Sequence, residues 1–298
     1  MISISNLTKK FQNGKGIHNV DLSVEKGEVM GFIGPNGAGK STTIRHLMGF
    51  MKSDEGTATI QGLDCFKQAA DVQKMVGYLP GEISFFDGMN GLDFLNLMRN
   101  MRGTHNDDYR NELIHRFQFD VKTPIRKMSK GMKQKVGIIA AFMHRPNVLL
   151  LDEPTSGLDP LMQNIFMDLV LEHKQRGAAI LMSSHIFSEI DRVCDQLAII
   201  KDGRIIVSSP VDALEKKQFV KVTVKDEVDV EKLKHSPLVI EECKNGVVTI
   251  RIEDNYSTIF QELSRVQVLH METYHEKLED LFINYYEAGG QNHEYSTL

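Results

Sequence analysis

Gly34-Pro35-Asn36-Gly37-Ala38-Gly39-Lys40-Ser41 is the stretch on which the reading of this chain turns. It places a glycine, four residues, a second glycine, a lysine and a serine in the order of a phosphate-binding loop. The flanks agree. Glu28-Val29-Met30-Gly31-Phe32-Ile33 before it reads as a strand, and Thr42 to Met48 after it reads as a helix. Gly34, Gly37 and Gly39 free the backbone for left-handed conformations and close approach to a ligand. The N–H groups of residues 34–42 are expected to converge on phosphate oxygens at the positive end of the helix. Lys40 should reach the β- and γ-phosphates of a nucleoside triphosphate, and the Ser41 hydroxyl the Mg²⁺ that bridges them.

Further along, Val148-Leu149-Leu150-Leu151-Asp152-Glu153-Pro154 is an apolar run ending in two carboxylates. Ligands of α/β sheets bind beyond the carboxyl ends of strands. Asp152 is therefore placed to hold Mg²⁺, directly or through water, and Glu153 to orient or deprotonate an attacking water. Lys127-Met128-Ser129-Lys130-Gly131-Met132-Lys133-Gln134-Lys135 precedes a helical run. Ser129 suits its N-cap, and an exposed helix start with basic neighbours suits an anion.

Residues 1 to about 210 alternate strand-like and helix-like segments. Ala178–Met182 and Gln196–Ile200 are continuous apolar runs like 148–151, as buried parallel strands require. Pro160 to Gln175 is helical in pattern. The expectation for residues 1–212 is an α/β domain around a central, mainly parallel sheet. Lys201-Asp202-Gly203-Arg204 signals a hairpin. A second, small α+β domain is expected at 213–287. Its segments are Phe219–Val224, Val228–Lys234, Leu238–Ile240, Val247–Ile252, Thr258–Val266 and Val268–Met271, with a turn at Asn245-Gly246. They follow the β-α-β-β-α-β order of ferredoxin-like domains. Glu276 to Tyr286 reads as a closing amphipathic helix with Leu278, Leu281, Phe282 and Tyr285 on one face, and 288–298 as a mobile tail.

A formal net charge of −5 gives no support to nucleic acid as the main partner. Cys65, Cys194 and Cys243 are widely spaced, so reduced thiols are expected rather than a disulfide framework or a zinc site. Met1 to Ser5 does not open a signal peptide. Apolar stretches such as Val136 to Met143 fall far short of the ~20 residues that span a bilayer. A membrane role would therefore need a separate partner.

Together these motifs resemble the ATP-binding cassette (ABC) ATPases over roughly residues 1–210. Residues 34–41 match the family's Walker A motif and 148–153 its Walker B motif. Met128-Ser129-Lys130-Gly131-Met132 stands where the family has its Leu-Ser-Gly-Gly-Gln signature. Ser156-Gly157-Leu158-Asp159 matches the loop between subunits, Ser184-His185 the switch histidine, and Phe11 the aromatic that stacks on adenine. The resemblance implies a P-loop NTPase cassette with an antiparallel β subdomain and a helical subdomain, using ATP and Mg²⁺. It also implies a second cassette, identical or not, packed head to tail. Ser129 and Gly131 would then contact the γ-phosphate of the partner's ATP, Glu153 would be the general base, His185 would sense the γ-phosphate, and Asp159 would help bind the partner cassette.

Two departures stand out. Where the family usually has a glutamine after a strand, the chain reads Gly81-Glu82. Either Glu82 supplies the missing metal ligand or a contact to the membrane partner, or this loop has lost its metal contact. In the signature, Lys130 and Met132 replace a glycine and a glutamine; Lys130 either adds charge near the partner's phosphate or points to solvent. Gly77-Tyr78-Leu79-Pro80-Gly81-Glu82 and Leu278-Glu279-Asp280-Leu281-Phe282 are similar to the branch that serves type-2 exporters. The implied function is the ATPase subunit of an exporter, peripheral at the cytoplasmic face of the membrane and coupled to a separate permease. The alternative is a soluble ABC ATPase with a non-transport or regulatory role. A single phosphate loop, and the absence of sustained heptads in 42–128, set the chain apart from two-cassette ribosomal proteins and coiled-coil repair proteins.

Overall fold

The computed structural model describes residues 1–103, 107–214, 217–253, 256–276 and 279, and divides into two units, Met1–Ala213 and Leu214–Leu298. The expected closing helix, apart from Glu276 and Glu279, and the expected tail lie outside the described residues.

The first unit runs β1 (Ile2–Lys10), β2 (Gly16–Val24), β3 (Val29–Ile33), α1 (Lys40–Leu47), β4 (Glu55–Ile60), β5 (Leu63–Asp64), α2 (Ala69–Met75) and β6 (Val76–Leu79). The helices α3 (Gly91–Arg102), α4 (Asp108–Phe117) and α5 (Lys130–Phe142) follow. It ends with β7 (Val148–Asp152), α6 (Pro160–Gln175), β8 (Ala179–Ser184), α7 (Phe187–Val193), β9 (Gln196–Lys201) and β10 (Arg204–Pro210).

Six of these strands form one sheet in the order β10-β9-β3-β8-β7-β6. Every pairing from β9 to β6 is parallel; β10 alone is antiparallel. All residues of β3, β7 and β8 are buried, which is why their sequences are apolar up to the polar ends of β7 and β8. Asp202 and Gly203, both with positive φ, turn β9 into β10 as a two-residue hairpin. A second, antiparallel sheet, β2-β1-β4-β5, shares a core with one face of the first through Ile4, Val20, Ile60, Phe32, Leu150 and Leu181.

The helices α3 to α5 form the helical part of this unit. Tyr109 on α4 hydrogen bonds to buried His173 on α6, 2.8 Å apart. Burial pushes the His173 imidazole down to about 4, so the ring that pairs with the tyrosine hydroxyl is neutral at neutral pH. That bond fastens the helical part to the helix that follows β7.

The second unit contains β11 (Gln218–Val224), α8 (Glu227–Lys234), β12 (Val239–Lys244), β13 (Val247–Ile252), α9 (Tyr256–Leu263) and β14 (Val268–His275). The sheet order is β12-β13-β11-β14, antiparallel throughout. Val230 and Leu233 of α8 and Ile259 and Leu263 of α9 pack on Val220, Val222, Val248 and Ile250. Asn245 and Gly246, again with positive φ, make the β12–β13 turn.

Candidate active site

Parallel strands bring their carboxyl ends to one edge, and here that edge carries the chemistry. β3 ends at the glycine-rich loop, β7 at Asp152-Glu153, β8 at Ser184-His185 and β6 at Pro80-Gly81-Glu82. Two cavities open beside one another. One, of about 120 Å³, is lined by Asn36, Gly37, Gly39, Lys40, Ser41, Thr42 and Glu153. The other, of about 450 Å³, includes Ser41, Arg45, Glu82, Asp152, Glu153 and Lys130 in its lining.

The loop does not use its glycines uniformly. Gly37 and Gly39 have φ of +82° and +119°, as left-handed turning requires. Gly34 does not; it is glycine because a Cβ there would lie 2.4 Å from the Ile200 carbonyl oxygen. Pro35 has no N–H to give, and the Ala38 N–H donates to the Pro35 carbonyl. Within residues 34–42, Pro35 therefore offers no N–H and the Ala38 N–H is engaged inside the loop. Lys40 is 5% exposed, and its ammonium donates to the carbonyls of Gly34 at 2.6 Å and Pro35 at 3.2 Å. Burial lowers its pKa, against the raising effect of the Glu153 and Asp152 carboxylates.

Asp152 is buried and accepts the Ser183 hydroxyl at 2.6 Å on Oδ1. Glu153 has a left-handed backbone, φ +47°, uncommon for a side chain of its size. Its N–H donates to the Ser183 carbonyl and hydroxyl oxygens at 3.2 and 3.0 Å. The Glu153 carboxylate lies 3.6 Å from Nδ1 of His185, wider than a hydrogen bond. Ser41 and Asp152, both lining the larger cavity, offer the hard oxygen donors that suit Mg²⁺. Among the described residues no group of three or more His, Cys, Asp or Glu could hold a metal by itself.

A family model described as ABC transporter matches residues 17–156. The ABC transporter ATP-binding protein NatA of Bacillus subtilis is 34% identical over 224 residues, 72% of this chain and 91% of NatA. The chain belongs to the ATP-binding subunits of ABC transporters. The bacitracin transport ATP-binding protein BcrA of Bacillus licheniformis is also 34% identical, over 73% of this chain and 72% of BcrA. A solved structure of an ATP-binding subunit of an ABC transporter superposes with a TM-score of 0.67 at 30% identity, covering 71% of this chain and 90% of that one. ATP binding and hydrolysis are the activity of this ABC ATPase.

Phe11 is 38% exposed in the turn between β1 and β2, where its N–H donates to the Lys15 carbonyl. Ser129 caps α5, accepting the Met132 N–H at 3.2 Å, and is exposed. Phe11, Ser129 and Gly131 line neither cavity. Asp159 caps α6 through the Met162 N–H at 3.0 Å. Gly131 is glycine because a Cβ would sit 2.6 Å from the Gly157 carbonyl oxygen. The signature thus packs directly on the loop after β7. Lys130 is exposed and lines the larger cavity. Its ammonium donates to Ser156 Oγ of its own chain at 2.8 Å, and its stem lies over Gly157.

A Cβ on Gly81 would lie 3.4 Å from Asp152 Oδ2, so this position faces the free oxygen of that carboxylate. Two supports escaped sequence reading. Gln134 Nε2 donates to the Pro154 carbonyl at 2.6 Å, tying α5 to the end of β7. The other is Ser183, whose signal was a serine pair continuing an apolar strand.

Proposed function

We propose that this ABC ATPase is the energising subunit of an exporter and acts as a dimer of cassettes on a separate transmembrane permease. The observation that carries the reading is the convergence of the phosphate loop, Asp152, Glu153 and Glu82 on adjoining cavities, with His185 beside Glu153. Similarity to a bacitracin transport ATP-binding protein supports a role in transport. No described helix is long and apolar enough to cross a membrane, which accords with a separate permease and peripheral attachment at the cytoplasmic face.

In this reading the N–H groups of Gly37, Gly39, Lys40, Ser41 and Thr42 hold the phosphates. Lys40 exchanges its loop carbonyls for phosphate oxygens. Ser41 and Asp152 hold Mg²⁺, which when bound neutralises charge on the β- and γ-phosphates. Glu153 takes a proton from water as its oxygen attacks the γ-phosphorus and the bond to the β–γ bridging oxygen breaks, releasing ADP. His185 orients the γ-phosphate. Phe11 supports the adenine ring. Ser129 and Gly131 close the partner's site, and the second unit steadies the dimer.

Glu82 lines the larger cavity with Ser41 and Asp152, which supports a role as an added oxygen ligand in place of the family's glutamine. Glu82→Ala is expected to raise the Mg²⁺ concentration for half-maximal ATPase several-fold. Unchanged rate, Mg²⁺ requirement and transport coupling would remove this role. For the function as a whole, affinity purification from native membranes should recover a polytopic permease with the chain. Recovery only from the soluble or ribosomal fraction would overturn the exporter reading.

A further inference from the structure

We infer that Ser183 is a positioning residue for hydrolysis, holding both carboxylates of the site at once. The inference rests on reading Asp152 as the metal-side carboxylate and Glu153 as the general base.

Ser183 is fully buried in β8, a strand whose other residues up to Met182 are apolar. A hydroxyl in such a place is costly unless it is hydrogen bonded. This one is satisfied in both directions. Its O–H donates to Asp152 Oδ1 at 2.6 Å, and its oxygen accepts the Glu153 N–H at 3.0 Å.

The first bond fixes the orientation of the Asp152 carboxylate. With Oδ1 held against Ser183, Oδ2 lies on the Gly81 side. The second bond falls at the left-handed backbone of Glu153. At φ +47°, Glu153 occupies a conformation that persists only where its surroundings enforce it. The turn takes the chain sharply off β7, and the Glu153 side chain lines both cavities. Ser184, the next residue, is fastened on the opposite side: its hydroxyl donates to buried Glu189 at 2.7 Å and accepts the Ile186 N–H at 2.9 Å. The end of β8 is thereby pinned on both flanks immediately before His185.

Loss of the Ser183 hydroxyl would leave Asp152 free to rotate and the Glu153 turn short of one restraint. Neither change touches the phosphate loop. The expected signature is therefore a defect in turnover without a defect in ATP binding.

The test uses the full chain with Mg²⁺ and ATP. Ser183→Ala is expected to lower kcat about tenfold or more, with KM for ATP within about twofold of wild type. It should also raise the Mg²⁺ concentration for half-maximal kcat. Ser183→Thr and Ser183→Val have nearly the same volume and differ in the hydroxyl, so Thr should recover turnover that Val does not. Wild-type kcat in the Ala and Val variants would overturn the inference. So would loss of folding on removal of the hydroxyl, which would assign Ser183 to stability alone. Glu153→Gln measured alongside separates the two failures. If it is inactive while Ser183→Ala is normal, only the Ser183 inference falls; if it turns over normally, the assignment of the base falls.

Discussion

Glu153→Gln is expected to bind ATP as well as wild type and to hydrolyse it about 100-fold more slowly or worse, the usual contribution of a positioned general base. Glutamine keeps the length and planar end of the side chain, so the turn at φ +47° and its hydrogen bonds to Ser183 need not change. What it loses is the ability to accept a proton. It also removes the carboxylate with the larger effect on the Lys40 ammonium. A site with one less negative charge opposes the triphosphate less, so ATP should dwell longer. Size-exclusion chromatography with ATP should then show a stable dimer for the variant and no more than a transient one for wild type. A variant that remains monomeric with ATP bound would count against the head-to-tail arrangement. One that hydrolyses normally would count against Glu153 as the base.

The parts of this site that were legible from sequence are those encoded locally. The phosphate loop needs its glycines, lysine and serine at fixed spacing, and the run 148–152 needs only continuous apolarity before its carboxylates. Contacts across strands leave no such trace. Ser183 reaches Asp152 across 31 residues, and Lys130 reaches Ser156 across 26. Nothing in either local sequence names the partner. The reason Gly34 is glycine lies in the Ile200 carbonyl, on a strand much later in the chain. Strand ends fail for a related cause. β8 continues through two buried serines that break the apolar pattern, and β14 runs to His275, beyond the apolar Val268–Met271, because an edge strand is mostly exposed and has little hydrophobic signal. In the second unit the β12–β13 turn, Asn245-Gly246, is by contrast a local signal.

Lys40→Met should fail in the complementary way. Methionine retains much of the aliphatic stem and fits a nearly buried position, so the fold should hold. The ammonium is lost, and with it charge-assisted contacts to phosphate that are each about twice as strong as neutral ones. ATP affinity is expected to fall about 10- to 100-fold, a range set by roughly 1.5–3 kcal/mol for hydrogen bonds to charged groups. The carbonyls of Gly34 and Pro35, which the ammonium now bridges, would be left to water. A ligand stabilises a fold only in proportion to its occupancy. Thermal unfolding with and without Mg-ATP should therefore show the shift nearly abolished in Lys40→Met and kept or enlarged in Glu153→Gln, although both have lost turnover. Equal shifts in the two variants would mean that Lys40 contributes to chemistry and not to binding, and would place the grip on the phosphates in the backbone N–H groups alone.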